Sequence, residues 1–532
     1  MTTAEYLIVG AGSAGCVLAN RLSADPATRV TLIEAGGPDR NPWIHIPVGY
    51  FRTMHNPAYD WCYQTEADPG LNGRSLKWPR GRVLGGSSSL NGLLYVRGQP
   101  QDYDRWAQMG NPGWSWADVA PLFEAMETFQ RGPAEGRGRS GPLQVSDPRL
   151  TREICELWIR AAVACGYPAN PDYNGATQEG VGHFQMTASG GLRCSAADAF
   201  LRPVRRRANL QVVTRAQVLR LLIEGRRAVG VELRRPDGST QTLRAAREVV
   251  LCAGAIGSPQ LLMLSGIGDG DHLRSHGIAV QHHAPQVGRN LQDHLQARLV
   301  LKTTRPTLND EVRSLSGKAR IAAEFALRRS GPMTMAASLA VGFLKTRPDL
   351  ETPDIQFHIQ PWSADSPGEG VHPFAAFTQS VCQLRPESRG QITLRSGDPL
   401  QHPLIAPNYL ATETDRATLV AGIRIARMIA RTAPLRAAIS EEFRPLAGLD
   451  SDAELLDWAR MNATTIYHPT GTCRMGADPA AVVDARLRVN GIAGLRVADC
   501  SVMPEIVSGN TNAPAMMIGE KLARMMAEER PG

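Results

Sequence analysis

The sequence predicts an α/β fold in which an open parallel sheet is interleaved with a second domain of sheet and helices. Three observations indicate this class. A short apolar run at residues 6–9 leads directly into a glycine-rich turn, a helical segment follows the turn, and a second apolar run at residues 30–33 ends at an acidic residue. A chain of 532 residues is also too long for one ordinary hydrophobic core, which favours two or more domains.

Composition excludes several classes of protein. Hydrophobic residues make up 43% of the chain and charged residues 20%, which is typical of a folded globular protein and not of a disordered one. No apolar stretch approaches the ~20 residues that cross a bilayer. The net charge of +7 is spread along the chain and aromatic residues are sparse, so we expect no nucleic-acid partner.

The cysteines and the first residues of the chain indicate the cellular compartment in which the protein works. The nine cysteines are odd in number and include no C-x-x-C pair, which favours reduced thiols and predicts no metal site. The first residues enter an apolar strand without the basic and apolar regions of a secretion signal. We therefore expect a cytoplasmic protein.

The turn at residues 10–15 has the G-x-G-x-x-G spacing of a Rossmann-like dinucleotide-binding unit. Gly10 permits the tight turn, Gly12 lets a pyrophosphate approach the backbone, and Gly15 lets helix and strand pack closely. The helix start offers amide donors to phosphates, and Glu34 can accept hydrogen bonds from a ribose. This unit does not distinguish NAD from FAD. The cofactor-binding residues it predicts are Gly10, Gly12, Ser13, Ala14, Gly15, Glu34 and Ala35.

Two later stretches of the sequence are also rich in glycine, and the first of them is rich in hydroxyl side chains as well. Residues 81–91 contain paired glycines and three serines, which offer donors to phosphate oxygens or to a flavin edge. Residues 254–268 follow an apolar strand and predict a helix that ends at Gly266 and Gly268. Taken alone, the first stretch is equally compatible with a surface turn and the second with an ordinary strand–helix unit.

Taken together, these motifs resemble the glucose–methanol–choline (GMC) oxidoreductases. Residues 81–104 are similar to the family's first signature, residues 254–268 to its second, and residues 287–294 to its stretch between the flavin and substrate regions. The resemblance covers about residues 6–521 and implies that the dinucleotide is FAD. Some members bind the flavin covalently through a histidine, and Leu90 occupies that position here, which implies a non-covalent cofactor. The further cofactor-binding residues that it implies are Arg82, Gly85, Gly86, Ser87, Asn91, Gly92, Leu93, Val218, Ala253, Gly254, Asp499, Cys500, Asn512 and Ala513.

The resemblance also implies the catalytic residues. His468, which precedes a proline and glycine turn, aligns with the family's catalytic histidine, and a histidine is suited to take a hydroxyl proton. The family's second catalytic position holds His or Asn, and we assign it to Asn510 and not to Asn512. Among the other histidines, His282, His283 and His294 lack ligand-like spacing and are interpreted as structural.

The family's FAD domain is discontinuous, which predicts the domain organisation. We expect residues 1–300 to form the main part of the FAD-binding domain with interleaved lid segments, and residues 465–532 to return to it with the catalytic His and Asn. Residues 301–464 should form the substrate-binding domain, a sheet with helices on one face. Residues 355–360 and 391–394 are predicted to be strands of that sheet, and residues 415–432 and 452–461 to be helices.

The function that this resemblance implies is FAD-dependent oxidation of a primary alcohol to the aldehyde. The residues around 72–81 and 466–476 look most like those of bacterial FAD-dependent dehydrogenases of aliphatic alcohols and polyethylene glycol. Choline dehydrogenases share much of the same pattern. Choline needs an aromatic cage and a carboxylate; Trp61, Trp362 and Tyr467 supply rings, but no carboxylate is identifiable, so an uncharged alcohol is favoured.

Several alternatives stay open. They are a choline dehydrogenase, an oxygen-using alcohol oxidase and, less favoured, a hydroxynitrile lyase or fatty acid photodecarboxylase on the same fold. The partners that we expect are the alcohol and a quinone or other electron acceptor, with peripheral membrane association allowed. The sequence specifies no oligomeric state.

Overall fold

Two large β-sheets organise residues 4–132, 134–365 and 370–529, which the computed structural model describes. In the first sheet four neighbouring strands are parallel, and the last of them continues into an antiparallel meander. In order across the sheet, its strands are Leu210–Val213, Val30–Ile33, Ala4–Val9, Thr240–Leu251, Arg227–Arg234 and Gln217–Glu224, with Leu495–Val497 added parallel to the end of Thr240–Leu251.

The parallel strands of the first sheet bring distant parts of the chain to one edge. Ala4–Val9 and Val30–Ile33 are apolar and almost wholly buried, as strands covered on both faces must be. Because parallel strands end at the same edge, the residues that follow these strands and Leu495–Val497 lie together. Those residues are the glycine turn, Glu34, Ala253 and Asp499.

The second sheet is antiparallel throughout and is assembled from four regions of the sequence. Across the sheet its strands are Ile439–Arg444, Leu295–Thr303, Ala376–Gln383, Ile355–Gln360, Ala340–Leu344 and Gly180–His183, and Thr464–Thr465 pairs with the start of Leu295–Thr303. Since Gly180–His183 and Leu295–Thr303 belong to it, the chain enters this sheet before residue 301. The division at residues 300 and 464 stays a prediction.

Helices cover one face of the second sheet, and polar side chains occupy the other. On the covered face Trp158, from the helix Glu153–Ala164, donates to Gln379 and packs against Phe357. The alternation of strands then directs His358 and Gln360 to the opposite face. This polar face lines the same cavity as the carboxyl edge of the first sheet.

One predicted strand is wrong in its placement. Residues 391–394 were expected in the second sheet, but Gln391–Thr393 pairs instead with Leu404–Ala406 in a separate two-stranded ribbon. Ten residues separate the two strands in the chain, so a local antiparallel pairing satisfies their backbone groups. The other small ribbons pair Tyr63–Gln64 with Lys77–Trp78, Glu127–Phe129 with Leu143–Val145, Ala188–Ser189 with Leu192–Arg193, and Ile267–Gly268 with His282–His283.

The helices agree closely with those the sequence predicts. Glu413–Ala430 and Asp452–Asn462 correspond to the two helices expected near the second sheet, and Gly254–Leu264 ends just before Gly266. No helix within the described residues is both long and apolar enough to span a bilayer. The remaining α-helices are Ser13–Leu22, Pro42–His45, Tyr50–Thr53, Pro100–Gln108, Trp116–Met126, Glu153–Ala164, Gly270–Ser275, Leu308–Arg313, Leu315–Arg328 and Asn512–Glu528.

Candidate active site

A continuous cavity runs from the carboxyl edge of the first sheet to the polar face of the second. It has two parts, which we call the cofactor region, next to the first sheet, and the substrate region, next to the second. Of the 21 residues predicted to bind the cofactor, the following line the wall: Gly10, Gly12, Ser13, Ala14, Glu34, Ala35, Gly86, Ser87, Asn91, Gly92, Leu93, Val218, Ala253, Gly254, Asp499, Cys500 and Asn512.

The glycine turn gives the cofactor region its shape. Gly10 has a φ of +104°, and a Cβ on Gly15 would lie 2.0 Å from the carbonyl oxygen of Gly10, so both positions require glycine. A Cβ on Gly12 would instead have only one neighbour, 3.9 Å away. No side chain caps the helix Ser13–Leu22 that Gly12 precedes, so its first amides are free to bind an anion.

Glu34 and Asp499 fix the backbone around this region. Glu34 is buried and accepts hydrogen bonds from the amides of Ala11, at 2.9 Å, and Gly36, at 2.8 Å. Its burial raises the pKa of the carboxyl to about 7. Asp499 is buried as well and accepts from the amide of Gly254, at 2.9 Å. Glu34 thus holds the glycine turn in place, in addition to the ribose-binding role predicted for it.

Two more helix starts point to the same place. Gly254–Leu264 and Asn512–Glu528 both begin at the cavity, and neither is capped by the side chain of its own N-cap residue, although Asp499 accepts from the Gly254 amide. Ser13 Oγ donates to Asn512 Oδ1 at 2.8 Å, which joins the first and last helices of the chain at their N-termini. Ser13–Leu22 and Asn512–Glu528 thus bring two uncapped helix starts to one cavity, with amide donors and positive dipole ends for a pyrophosphate, so the cofactor region fits FAD.

Four of the predicted cofactor residues lie behind the wall. Gly15 and Ala513 are packed within helices, and the Gly85 amide donates to the Ala11 carbonyl at 2.8 Å. The Arg82 guanidinium lies 4.8 Å from the centre of the Trp61 ring. Gly15 thus has the close packing predicted for it, and contact of these four residues with the cofactor stays a prediction.

The predicted catalytic residues meet where the two regions join. His468 Nε2 lies 3.2 Å from Asn510 Nδ2, and Asn510 Oδ1 accepts from Gln356 Nε2 at 3.2 Å. That second bond orients the Asn510 amide so that its NH₂ group faces His468. Asn512 is turned toward the cofactor region through Ser13, so the geometry favours Asn510 over Asn512 as the partner of His468.

His294, interpreted from sequence as structural, contacts the catalytic histidine directly. Its Nδ1 lies 3.0 Å from His468 Nδ1, and its Nε2 lies 2.8 Å from the carbonyl oxygen of Leu384. A carbonyl only accepts hydrogen bonds, so His294 Nε2 carries the proton and its Nδ1 accepts from His468. His468 is thereby held with its proton on Nδ1 and an unprotonated Nε2, which accepts a hydrogen bond from Asn510 Nδ2.

Burial keeps both rings neutral. It lowers the pKa of His294 to about 4, and burial together with the neighbouring His294 and His358 lowers the pKa of His468 well below its ordinary value. Asp293 fixes the backbone at this point, because its Oδ1 accepts from the His468 amide at 2.6 Å. A neutral imidazole with a bare nitrogen facing a cavity is the form that can accept a proton.

The signal for His294 was present in the sequence but was not recognised. His294, Gln296 and Arg298 alternate with apolar residues, as the residues of a half-polar strand do. Gln296 and Arg298 line the cavity, as does His358 from the neighbouring strand Ile355–Gln360. His282 and His283 lie in a small ribbon away from this cavity.

One group of metal-ligand side chains occurs among the described residues. Asp39, His45 and Asp198 have ligand atoms within 4.8 Å of one another. Arg202 Nη2 lies 2.6 Å from an Asp198 oxygen and 3.3 Å from an Asp39 oxygen. An arginine therefore occupies the position next to both carboxylates, and ion pairing accounts for this cluster.

Models of the GMC oxidoreductase family match residues 4–296 and 386–519. The chain belongs to the GMC oxidoreductase family. It is 42% identical to an alcohol dehydrogenase [acceptor] of Pseudomonas putida, over 99% of this chain and 96% of that one. It is also 43% identical to mitochondrial choline dehydrogenase of Homo sapiens, over 98% and 89% of the two chains.

Solved structures share the whole fold. Pyridoxine 4-oxidase from Mesorbium loti superposes with a TM-score of 0.90 at 33% identity, covering 99% of this chain and 100% of that one. A formate oxidase variant from Aspergillus oryzae RIB40 gives 0.92 at 29% identity, with 99% of each chain covered. This GMC protein is therefore an oxidoreductase whose cofactor is FAD, with a small-molecule substrate and an electron acceptor.

Replacing Gly12 with valine tests the cofactor region. The fold has room for a Cβ at this position, but the branched side chain would occupy the space beside the uncapped helix start. We expect Gly12→Val to purify folded and largely without FAD, measured by the ratio of flavin absorbance to protein absorbance and by circular dichroism. The matched control is Gly37→Val, whose Cβ would meet only the Arg215 side chain, at 3.6 Å. A folded, fully yellow Gly12→Val protein would contradict the assignment.

Proposed function

We propose that this protein oxidises a primary alcohol to the aldehyde and passes the electrons to a quinone or another carrier. The observation that carries the proposal is the unprotonated Nε2 of His468, which accepts from the Asn510 amide at 3.2 Å, at the junction of the cofactor and substrate regions. Homologues named alcohol dehydrogenase and choline dehydrogenase support the same reaction class.

Oxidation of a primary alcohol removes one proton from oxygen and one hydride from carbon. FAD, when bound, supplies the hydride acceptor. The proton has a defined destination in this chain, since His468 Nε2 holds a lone pair and His294 prevents the opposite tautomer. The Asn510 NH₂ group lies next to that lone pair and can donate to the substrate oxygen, which places the hydroxyl between the two side chains.

Choline is the second candidate, and the cavity offers part of what it needs. Trp61, Trp362 and Tyr467 all line the wall, so rings are available for a cation. Among the described residues the carboxylates that line it are Glu34 and Asp499, and both already accept backbone amides in the cofactor region. The substrate region thus lacks a described carboxylate for a quaternary ammonium, which favours an alcohol without a positive charge.

Ile466 supports a dehydrogenase over an oxidase. Its side chain lines the cavity two residues before His468, and its amide donates to the His294 carbonyl at 3.0 Å. A branched side chain fixed at this point reduces the open space in which oxygen would react.

A quinone acceptor is consistent with peripheral membrane association in the cytoplasm, which stays a prediction from the sequence.

Loss of the His468 side chain should slow the proposed proton transfer. We expect His468→Ala to reduce its flavin with 1-alkanols roughly 10²-fold or more slowly, since positioned acid–base groups typically contribute 10²–10⁴. The measurement is anaerobic stopped-flow absorbance near 450 nm, with FAD content determined separately. His402→Ala is the matched control, because His402 lines the same cavity and packs on Tyr63 without contacting His468. Near-normal reduction of the His468 variant would remove this residue from the mechanism.

The choice of electron acceptor can be tested on the reduced enzyme. We expect reoxidation by a soluble quinone or phenazine to be much faster than reoxidation in air-saturated buffer. The measurement is stopped-flow recovery of flavin absorbance, with hydrogen peroxide assayed in parallel. Stoichiometric peroxide release at the full turnover rate would show an oxidase instead.

A further inference from the structure

Arg298 lies in the wall of the substrate region without a partner. It belongs to the strand Leu295–Thr303 and alternates with apolar residues, so that it lines the cavity beside Gln296. Within residues 4–132, 134–365 and 370–529, its guanidinium makes no hydrogen bond and no ion pair, and its Nη2 is buried although the residue as a whole is half-buried. A buried guanidinium nitrogen is almost always paired, so the unpaired Nη2 of Arg298 indicates a ligand.

Other arginines of the interior contrast with Arg298. Arg97 and Arg137 both pair with the buried carboxylate of Glu127. Arg193 donates to the carbonyl of Ile44 and to Asn91. Close to Arg298, Asp365 could neutralise it but pairs with Arg444 at 2.6 Å instead. The positive charge of Arg298 is left for a group that enters the cavity.

Further unpaired polar atoms surround the guanidinium. Strand register places Arg298 opposite Ser380, and Ser380 opposite His358, in one row across three strands. Ser380 Oγ and His358 Nδ1 are both buried without a hydrogen-bond partner. Trp362 Nε1 is likewise unpaired and lies in the cavity wall. A hydroxyl, an indole N–H and a guanidinium can all donate, which suits a ligand rich in acceptor oxygens.

We propose that Arg298 binds a carboxylate of the substrate, so that the alcohol oxidised here is a hydroxy carboxylate. The proposal rests on the proposed function, because it assigns the end of the molecule distant from the hydroxyl at His468. Arginine matches a carboxylate with paired hydrogen bonds, and Asp365, the described carboxylate close to it, is already paired with Arg444. The same charge repels a quaternary ammonium, which separates this substrate class from choline.

Strand geometry indicates the size of the molecule. His294, which contacts the base, and Arg298 are four residues apart on one strand, roughly 13 Å between their Cα atoms. A substrate that reaches from His468 to Arg298 therefore needs several carbons between its hydroxyl and its carboxylate. A series of ω-hydroxy carboxylates of four to eight carbons covers this separation.

Binding of non-reacting ligands to the holoenzyme tests the site apart from turnover. We expect hexanoate to perturb the flavin absorbance and raise the Tm, and hexylammonium to bind far more weakly. Arg298→Gln should weaken hexanoate binding roughly 10- to 100-fold, with Arg298→Lys between the two. Lys302→Gln is the matched control, since it removes a positive charge of the same strand that is already paired with Glu441, and should retain hexanoate binding.

Turnover adds a second, separable readout. Wild-type enzyme should have a lower KM for 6-hydroxyhexanoate than for 1-hexanol, and Arg298→Gln should lose that difference. Equal binding of hexanoate and hexylammonium by wild-type enzyme would overturn the carboxylate site, even if Arg298→Gln failed to fold. Arginine-dependent hexanoate binding without oxidation of any alcohol would instead support the site and contradict the proposed function.

Discussion

The hydrogen bond between Nδ1 of His294 and Nδ1 of His468 is the contact on which the catalytic arrangement depends. Its direction is set by the Leu384 carbonyl, which accepts from the other nitrogen of His294 and so fixes the tautomers of both rings. Without it, His468 could carry its proton on Nε2 and present a donor to the substrate. The Leu384 carbonyl and the neutral His294 ring thus fix the tautomer of His468, and burial keeps both rings uncharged.

This arrangement depends in turn on how the two sheets are joined. His294 directly precedes a strand of the second sheet, whereas Asn510 lies two residues before the helix that completes the cofactor region. Gln356, from the middle of the second sheet, orients Asn510 across that junction. Because each side of the active site comes from a different sheet, the interleaved topology is what brings a base, a donor and the cofactor to one point.

Much of the fold follows from local sequence patterns. The glycine turn, the strand before it and the capless helix after it are encoded within residues 6–22, so they could be predicted without knowledge of the rest. His294 and Arg298 could not, because their roles depend on strand register with residues more than 80 positions away. Residues 391–394 were correctly predicted to form a strand, but the local sequence does not specify which strand pairs with it. The predicted placement in the second sheet was therefore wrong.

The most direct test of the account is the protonation state of His468 in the resting holoenzyme. Nitrogen-15 NMR of enzyme labelled in its histidines, with signals assigned through His294→Gln and His468→Gln variants, distinguishes the two neutral tautomers from the imidazolium. At pH 7 we expect a neutral His468 with its proton on Nδ1 and none on Nε2, and a His294 with its proton on Nε2. A His468 that is doubly protonated, or that carries its proton on Nε2, would contradict the arrangement described here.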